Sequence, residues 1–337
     1  MSVGIDLGSK TLKIVELEKD GPGFRLTSSG VIGYTGNPVS QLADDKEGLV
    51  LAEAIRRLYK EAKVSGREVS LALPESLVFT RAIHFPPLTD QEIATAVKWE
   101  AEQYIPIPPN EAIIEHQVVE RTEVGVKPGV SVLLVASPKA LVEKYIKVVQ
   151  MAGLTVVGVE TESLALTRAL APEKGTAMLV DFGAASTGIT IAKGAMVTFS
   201  RSIPIAGEAL TRALAQGLGM ASAQAEEYKK TYGLSGQLEG KVKAALDPVF
   251  GLVIDEIKKA IAFYQSEEKA PAPTSVIVTG GTSTMPEVIT TLSNLLGLEV
   301  VVGNPFAKIK VAPEVFKKLQ PFAPLYSVAV GLALRGD

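Results

Sequence analysis

The chain of 337 residues contains no cysteine, which removes disulfide frameworks, thiolate nucleophiles, zinc ribbons and iron–sulfur ligation together. Histidine is almost as scarce. Only His84 and His116 occur, neither with a carboxylate or second histidine at ligand spacing, so both read as structural and any metal must sit on oxygen donors. Long apolar runs are missing too: no window reaches the roughly 18 residues of a spanning helix, and the run at 130–136 is strand-sized and closed by Ser137-Pro138. Neither sign of charge dominates, with 34 Lys+Arg against 37 Asp+Glu and a net charge of -3, so the chain lacks the basic footprint that wraps nucleic acid. The opening Met-Ser-Val-Gly-Ile-Asp puts a carboxylate at position 6, where a secretory signal needs a basic and then an apolar segment. A cytoplasmic protein without direct membrane insertion is expected.

The sequence does hold a repeated pattern. Short apolar runs at 3–7 and 12–17 flank Gly8-Ser9-Lys10-Thr11, a strand–turn–strand signal, and the same signal returns at 178–182 and 188–192 around Gly183-Ala184-Ala185-Ser186-Thr187. Each first strand ends in Asp-x-Gly, at Asp6 and at Asp181, so the chain reads as an internal duplication: two α/β lobes facing each other across a cleft. Between them, 78–159 reads strand (78–85), helix (90–104), strands (112–121 and 130–136), helix (138–152) and strand (154–159), a β-α-β-β-α-β module. Thr89 with Glu92 makes a capping box for its first helix, and Gly153 stops its second. Further on, 207–218, 222–232 and 248–264 read as helices, Ala270-Pro271-Ala272-Pro273 as a breaker, and 275–278 as a strand running into Gly280-Gly281-Thr282 and a helix from about Pro286.

Three glycine turns that each follow a strand are the main chemical signal. Glycine admits close backbone approach, and turn N–H groups aimed one way make a nest for an anion such as phosphate. An aspartate beside two of these turns offers hard oxygen for Mg²⁺. Lys13 lies inside an otherwise apolar strand, where a buried ammonium needs an anionic partner, although an edge-strand lysine reaching water is the plainer alternative. Ile93, Trp99 and Tyr104 at helical spacing read as core, and Lys308, Lys310, Lys317 and Lys318 as a solvated face.

Gly4-Ile5-Asp6-Leu7-Gly8-Ser9-Lys10, Val180-Asp181-Phe182-Gly183-Ala184-Ala185-Ser186-Thr187 and Val276-Ile277-Val278-Thr279-Gly280-Gly281-Thr282 resemble the phosphate-1, phosphate-2 and adenosine motifs of the actin, Hsp70 and FtsA superfamily. Glu162-Ser163-Leu164-Ala165 and Tyr326-Ser327-Val328-Ala329-Val330-Gly331-Leu332 resemble its two connecting helices. The inserted module, Trp99-Glu100-Ala101-Glu102-Gln103-Tyr104-Ile105-Pro106, Leu134-Val135-Ala136-Ser137-Pro138-Lys139 and Ala152-Gly153-Leu154 are most similar to the PilM family of type IV pilus assembly. An ending at Gly336-Asp337, without the terminal membrane helix of FtsA, favours the same family.

The resemblance implies an actin-like/FtsA-like two-lobed ATPase fold of duplicated ribonuclease H-like domains with an inserted β-α-β-β-α-β subdomain. It divides the chain into a first lobe (1–84), the insert (85–153), a return to the first lobe (154–178), a second lobe (179–320) and a C-terminal segment returning to the first lobe (321–337). It implies ATP and Mg²⁺ as cofactors. Asp6 and Asp181 would lie near the metal, and Ser9, Lys10, Thr11 and Lys13 at the terminal phosphates. Gly183, Ala184 and Ala185 would close on the other side, Gly207, Gly280, Gly281 and Thr282 would rest against adenosine, and Glu226 and Lys229 would lie near the ribose. Glu162 is the residue best placed by resemblance to orient an attacking water. The phosphate-2 loop has lost glycines and its final Asp, with Gly188 in that place, so weak or no hydrolysis is expected. The implied partner is the N-terminal cytoplasmic tail of the inner-membrane protein PilN, captured against the insert with the helix 90–104 as one wall. Other pilus platform proteins and a homo-oligomer are further implied partners, and recruitment to the inner membrane would be peripheral. The rivals are a sugar or acid kinase of the same fold, for which no acidic residue is marked as the acceptor's base, and an FtsA- or MreB-like filament protein.

Overall fold

The computed structural model describes residues 1–122, 128–268 and 271–335; Ala270 of the expected breaker and the Gly336-Asp337 ending lie outside them. The first lobe begins with β1 (Ser2–Leu7), β2 (Thr11–Asp20) and β3 (Gly23–Gly33), then α1 (Asp45–Ala62) and β4 (Glu68–Leu73). β1 and β4 are buried on both faces, so they read as nearly unbroken apolar runs, as parallel central strands do. Asp44 caps α1 by accepting from the N–H groups of Lys46 and Glu47, and Lys63 ends it in the left-handed region.

Next come β5 (Phe79–Phe85), α2 (Asp90–Tyr104), β6 (Ala112–Thr122), β7 (Gly129–Pro138), α3 (Lys139–Met151), β8 (Thr155–Thr161) and α4 (Glu162–Leu170). The second lobe holds β9 (Thr176–Phe182), β10 (Thr187–Lys193), β11 (Met196–Ile203), α5 (Gly207–Leu218), α6 (Ser222–Tyr232), α7 (Lys241–Glu268), β12 (Ser275–Thr279), α8 (Val288–Leu296) and β13 (Glu299–Val302). The chain closes with α9 (Pro313–Leu319) and α10 (Ser327–Ala333). α7 starts well before the expected 248, with Pro248 inside it, a position where proline forfeits one backbone hydrogen bond.

The duplication is real at the level of topology. One sheet runs β3-β2-β1-β4-β8 and the other β11-β10-β9-β12-β13, each an antiparallel meander whose first strand continues into two parallel neighbours. Asp6 and Asp181 are the penultimate residues of the equivalent strands β1 and β9. Each lobe has its own core, and a third cluster joins them, built from α4 and α10 with Val15 and Leu17 of β2 and Leu179 of β9.

The six elements expected between 78 and 159 form, but not as one module. β8 pairs in parallel with β4 as the fifth strand of the first sheet, and Tyr145, Val148 and Val149 of α3 are buried in the first-lobe core. The inserted unit is therefore β5, α2, β6 and β7, a three-stranded sheet of order β5-β7-β6 with α2 on one face. Periodicity identified every element, yet it carries no information on which of two sheets a parallel strand will join.

Candidate functional site

The β1–β2 hairpin places Asp6 directly opposite Lys13, and Lys13 Nζ donates to Asp6 Oδ2 at 2.9 Å. Both residues are buried, at 7% and 9% exposure, so the pair is shielded from water on the inner side of the hairpin mouth. Burial alone would lower the lysine's pKa; Asp6 outweighs it and holds the ammonium above its usual range, with Asp181 and Glu162 acting in the same sense. Breaking such a pair by removing one member typically costs about 3 to 5 kcal/mol, since the other charge stays behind.

Two further carboxylates approach from the other elements. Asp181 is brought up by β9, and its pKa is pushed up to about 6 by burial and by the Asp6 charge, against the pull of Lys13. Glu162 opens α4, whose cap Thr161 accepts from the N–H of Leu164. Its pKa is raised well above the ordinary value by burial, by Asp181 and by Asp6; the Glu75 N–H, donating to Glu162 Oε2 at 3.1 Å, opposes this. Three acidic groups thus share one ammonium, which leaves the cluster short of positive charge.

The second-lobe side is bound together around Gly183. The carbonyl of Gly183 accepts from the Gly207 N–H at 3.1 Å and from Thr282 Oγ1 at 3.1 Å, and the Ala184 carbonyl accepts from the Glu208 N–H at 2.9 Å. Lys229 Nζ donates to the Gly207 carbonyl at 2.9 Å, to Thr211 Oγ1 at 2.8 Å and to Glu226 Oε2 at 2.7 Å. Burial lowers the Lys229 pKa in spite of Glu226, while the Lys229 and Thr211 hydrogen bonds hold Glu226 below its usual range against partial burial. Gly280 has φ +82, and a Cβ there would meet Asp181 Oδ1 at 2.4 Å and the Phe182 carbonyl at 2.6 Å, so only glycine fits between β12 and the Asp181 strand end. Gly281 and Thr282 follow in the short 3₁₀ turn Gly281–Thr284.

At the mouth, Ser9 and Thr11 are partly buried and Ala185 is exposed. Lys10 pairs with Glu208 of α5 at 2.9 Å, an ion pair that bridges the two lobes. The sequence-derived site residues therefore fall into two groups: Asp6, Lys13 and Glu162 with Asp181 reaching in from β9 of the second lobe, and Gly183, Gly207, Thr282, Glu226 and Lys229 within that second lobe. Three contributors went unread: Glu208, Thr211 and Glu75. Glu208 and Thr211 stand in the first turns of a helix whose start was legible; Glu75 follows Pro74 with no pattern around it.

Some residues expected elsewhere have different surroundings. Ile93, Val97 and Ala101 pack on the inserted sheet, whereas Trp99 is 67% exposed and Tyr104 lies under Arg81 with the guanidinium 3.8 Å from its ring centroid. The expectation of Trp99 and Tyr104 as core is corrected: Trp99 projects from another face of α2, and Tyr104, in line with Ile93 but at the helix end, is covered by Arg81 instead of the sheet. Lys308 and Lys310 are likewise not a free solvated face. Lys308 donates to the Arg168 and Ala171 carbonyls at the end of α4, and Lys310 pairs with Asp20 at 3.0 Å. His84 hydrogen-bonds Ser131 at 2.8 Å and His116 is exposed.

The donor set suits the implied cofactors. Hard oxygens with unbalanced negative charge suit Mg²⁺, and among the described residues no group of three acidic or histidine side chains is arranged to cage a metal. A buried lysine at the mouth of a glycine turn has the charge that a contact to phosphate would need.

A family model described as type IV pilus assembly protein PilM matches residues 4–337. The chain is 24% identical over 395 residues to the cell division protein FtsA of Pseudomonas aeruginosa, covering 100% of this chain and 89% of FtsA. It is 22% identical over 356 residues to FtsA of Bacillus subtilis, covering 90% and 78%. Among solved structures, a PilM-PilN type IV pilus biogenesis complex superposes with a TM-score of 0.86 at 27% identity, over 99% of this chain and 98% of that one. MreB 5 of Spiroplasma citri bound to AMPPNP superposes with a TM-score of 0.52 at 13% identity over 98% and 93%, a likeness of fold. The duplicated lobes are thus those of the actin-like, FtsA-like fold.

Proposed function

The chain belongs to the PilM family of type IV pilus assembly proteins, and we propose that it is an ATP-binding scaffold that holds the N-terminal cytoplasmic tail of PilN at the inner membrane. The observation that carries this reading is the likeness, over nearly the whole of both chains, to a structure whose protein is complexed with PilN. Among the described residues no helix is long and apolar enough to cross a membrane, so a membrane-bound partner supplies recruitment in this reading.

ATP would lie between the lobes. Lys13 and the Ser9-Lys10-Thr11 turn would hold the terminal phosphates, Asp6 and Asp181 would hold Mg²⁺ directly or through water, and Gly183, Ala184 and Ala185 would close the opposite side. Gly207, Gly280, Gly281 and Thr282 would support the adenosine, with Glu226 and Lys229 at the ribose. Mg²⁺ supplies charge neutralisation at the phosphates when bound. Glu162 would orient water, and the glycines lost from the phosphate-2 loop support slow or negligible turnover.

The insert offers a surface for a peptide. Its helix α2 exposes Trp99, and an open groove of about 420 Å³ is lined by Leu88, Gln91, Glu92, Thr95, Ala96 and Trp99. A short disordered tail loses conformational entropy on docking, so moderate affinity is expected for the isolated peptide. The test is pull-down of the intact chain with the PilN tail fused to a soluble carrier, alongside phosphate release by the purified chain. Retention of the carrier with release slower than one phosphate per second is expected; no retention would remove the partner, and several turnovers per second would remove the scaffold reading.

A further inference from the structure

Hydrogen bonds run without a gap from the cleft to the inserted sheet. The Glu75 N–H donates to Glu162 Oε2 at 3.1 Å, and Thr80 Oγ1 of β5 donates to Glu75 Oε1 at 2.9 Å. Glu75 is 7% exposed, and its second carboxylate oxygen has no hydrogen-bond partner. A buried acidic side chain anchored by a single hydroxyl is costly to keep, and neither the cores nor the proposed phosphate contacts call for one. Glu75 opens the short 3₁₀ turn Glu75–Leu77 between β4 of the first lobe and β5 of the insert, so it stands at the junction itself.

The insert also grips the second lobe. Val119 and Leu133 share a buried cluster with Val197 of β11, with Leu164 of α4 packed against it, and Lys193 of β10 donates to both carboxylate oxygens of Glu120 at 3.1 and 2.9 Å. The inserted sheet therefore touches both sides of the cleft: one through the carboxylate chain, the other through this small cluster.

We propose that Glu75 is a positioning residue that couples occupancy of the cleft to the inserted sheet. The inference rests on the proposed nucleotide site and adds a residue, a route and a direction to it. A phosphate or cation arriving near Glu162 changes the electrostatic demand on its carboxylate. Because Glu162 Oε2 is bonded to the Glu75 backbone, a shift of that carboxylate moves the 3₁₀ turn, and the Thr80 bond passes the shift to β5. From β5 it reaches β7 through the pairing of Thr80 with Val135. Coupling of this kind is reciprocal in binding free energy: a partner that fixes the inserted sheet changes nucleotide affinity by the same factor.

Hydrogen exchange of the full chain with and without MgATP tests this, using Thr80→Val, which removes the hydroxyl at nearly constant shape, and Thr80→Ser, which restores it. The wild-type chain is expected to slow exchange over residues 79–85 about fivefold on MgATP binding, the lower end of the range for coupled sites. T80V is expected to lose that change while still binding MgATP by calorimetric titration, and T80S to regain it. Rescue by serine separates positioning from a packing role. Equal slowing in the wild type and T80V, or no change at 79–85 in a wild-type chain that binds MgATP, overturns the coupling and leaves the proposed function standing. A wild-type chain that binds no MgATP in the titration overturns both.

Discussion

Lys13 and Asp181 show how few residues set the character of the cleft. Lys13 is the buried cation of a three-carboxylate cluster, and a charge-assisted contact to phosphate is worth about 1.5 to 3 kcal/mol. Lys13→Met is therefore expected to weaken MgATP binding by about tenfold to a hundredfold, read by isothermal titration; unchanged affinity would move the phosphates elsewhere. Asp181 makes an independent prediction about pH. Its folded pKa of about 6 stands above the ordinary aspartate value of 3.8, so the folded chain holds this proton more tightly than the unfolded one. The stability this gives is complete below about pH 3.8 and is lost as pH rises through about 6, leaving a net cost of about 1 to 3 kcal/mol at neutral pH. Asp181→Asn is accordingly expected to raise the melting temperature at pH 7.5, with the gain shrinking toward zero by about pH 4. A gain that is the same at both pH values would show that the charge is not its source.

The elements that matter most for the site are the two crossing helices. α4 carries Glu162 at its first position, and α10 packs against both α4 and β1, so the pair sets how the lobes meet. The crossing is as tight as backbones allow: a Cβ at Gly331 of α10 would lie 1.9 Å from the Ala165 carbonyl oxygen of α4. Arg168 reinforces it by donating to Glu160 at 2.7 and 2.8 Å and to the Gly331 carbonyl at 2.6 Å. Gly331→Ala must push the helices apart, and overpacking of this kind costs about 1 to 3 kcal/mol. Chemical denaturation should show a lower midpoint for G331A, and MgATP affinity should fall with it because α4 carries Glu162 while α10 packs on β1, which carries Asp6. A denaturation midpoint equal to wild type would mean that α10 tolerates a shift the packing does not suggest.

At the scale of the whole molecule, the placement of α3 decides what can be removed. Tyr145, Val148 and Val149 are buried at 1%, 3% and 0% exposure in the first-lobe core. Deletion of residues 85–153 removes them along with most of the insert, and loss of three large core side chains at about 2 to 5 kcal/mol each is as large as the typical stability of a domain. That deletion variant is expected to lack a cooperative melting transition by circular dichroism, whereas Trp99→Ala, at an exposed position, should melt like wild type and is the sounder probe of partner capture. A cooperative melt of the deletion variant would show that the first lobe can close its core without α3.

Much of this was legible in the sequence because it rests on short-range patterns. The Asp-x-Gly turns, the apolar runs around them and the Thr89–Glu92 capping box are local, and they fixed both hairpins, the duplication and the paired aspartates. Lys13 was conspicuous because a charge in an apolar strand conflicts with its neighbours, and the conflict is resolved by Asp6 one hairpin register away. Long-range choices were decided only in three dimensions. Strand β8 and helix α3 could have closed the inserted module, but β8 found its parallel partner in β4, and α3 followed its apolar face onto the first lobe. Trp99 points away from the sheet that buries Ile93, because six helical positions carry it about a third of a turn off the Ile93, Val97 and Ala101 stripe. Glu75 carries no local signature at all. Its position between the cleft carboxylate and the inserted sheet exists only because the fold brings Glu162 to Glu75, and a contact 87 residues apart in sequence leaves no periodicity to read.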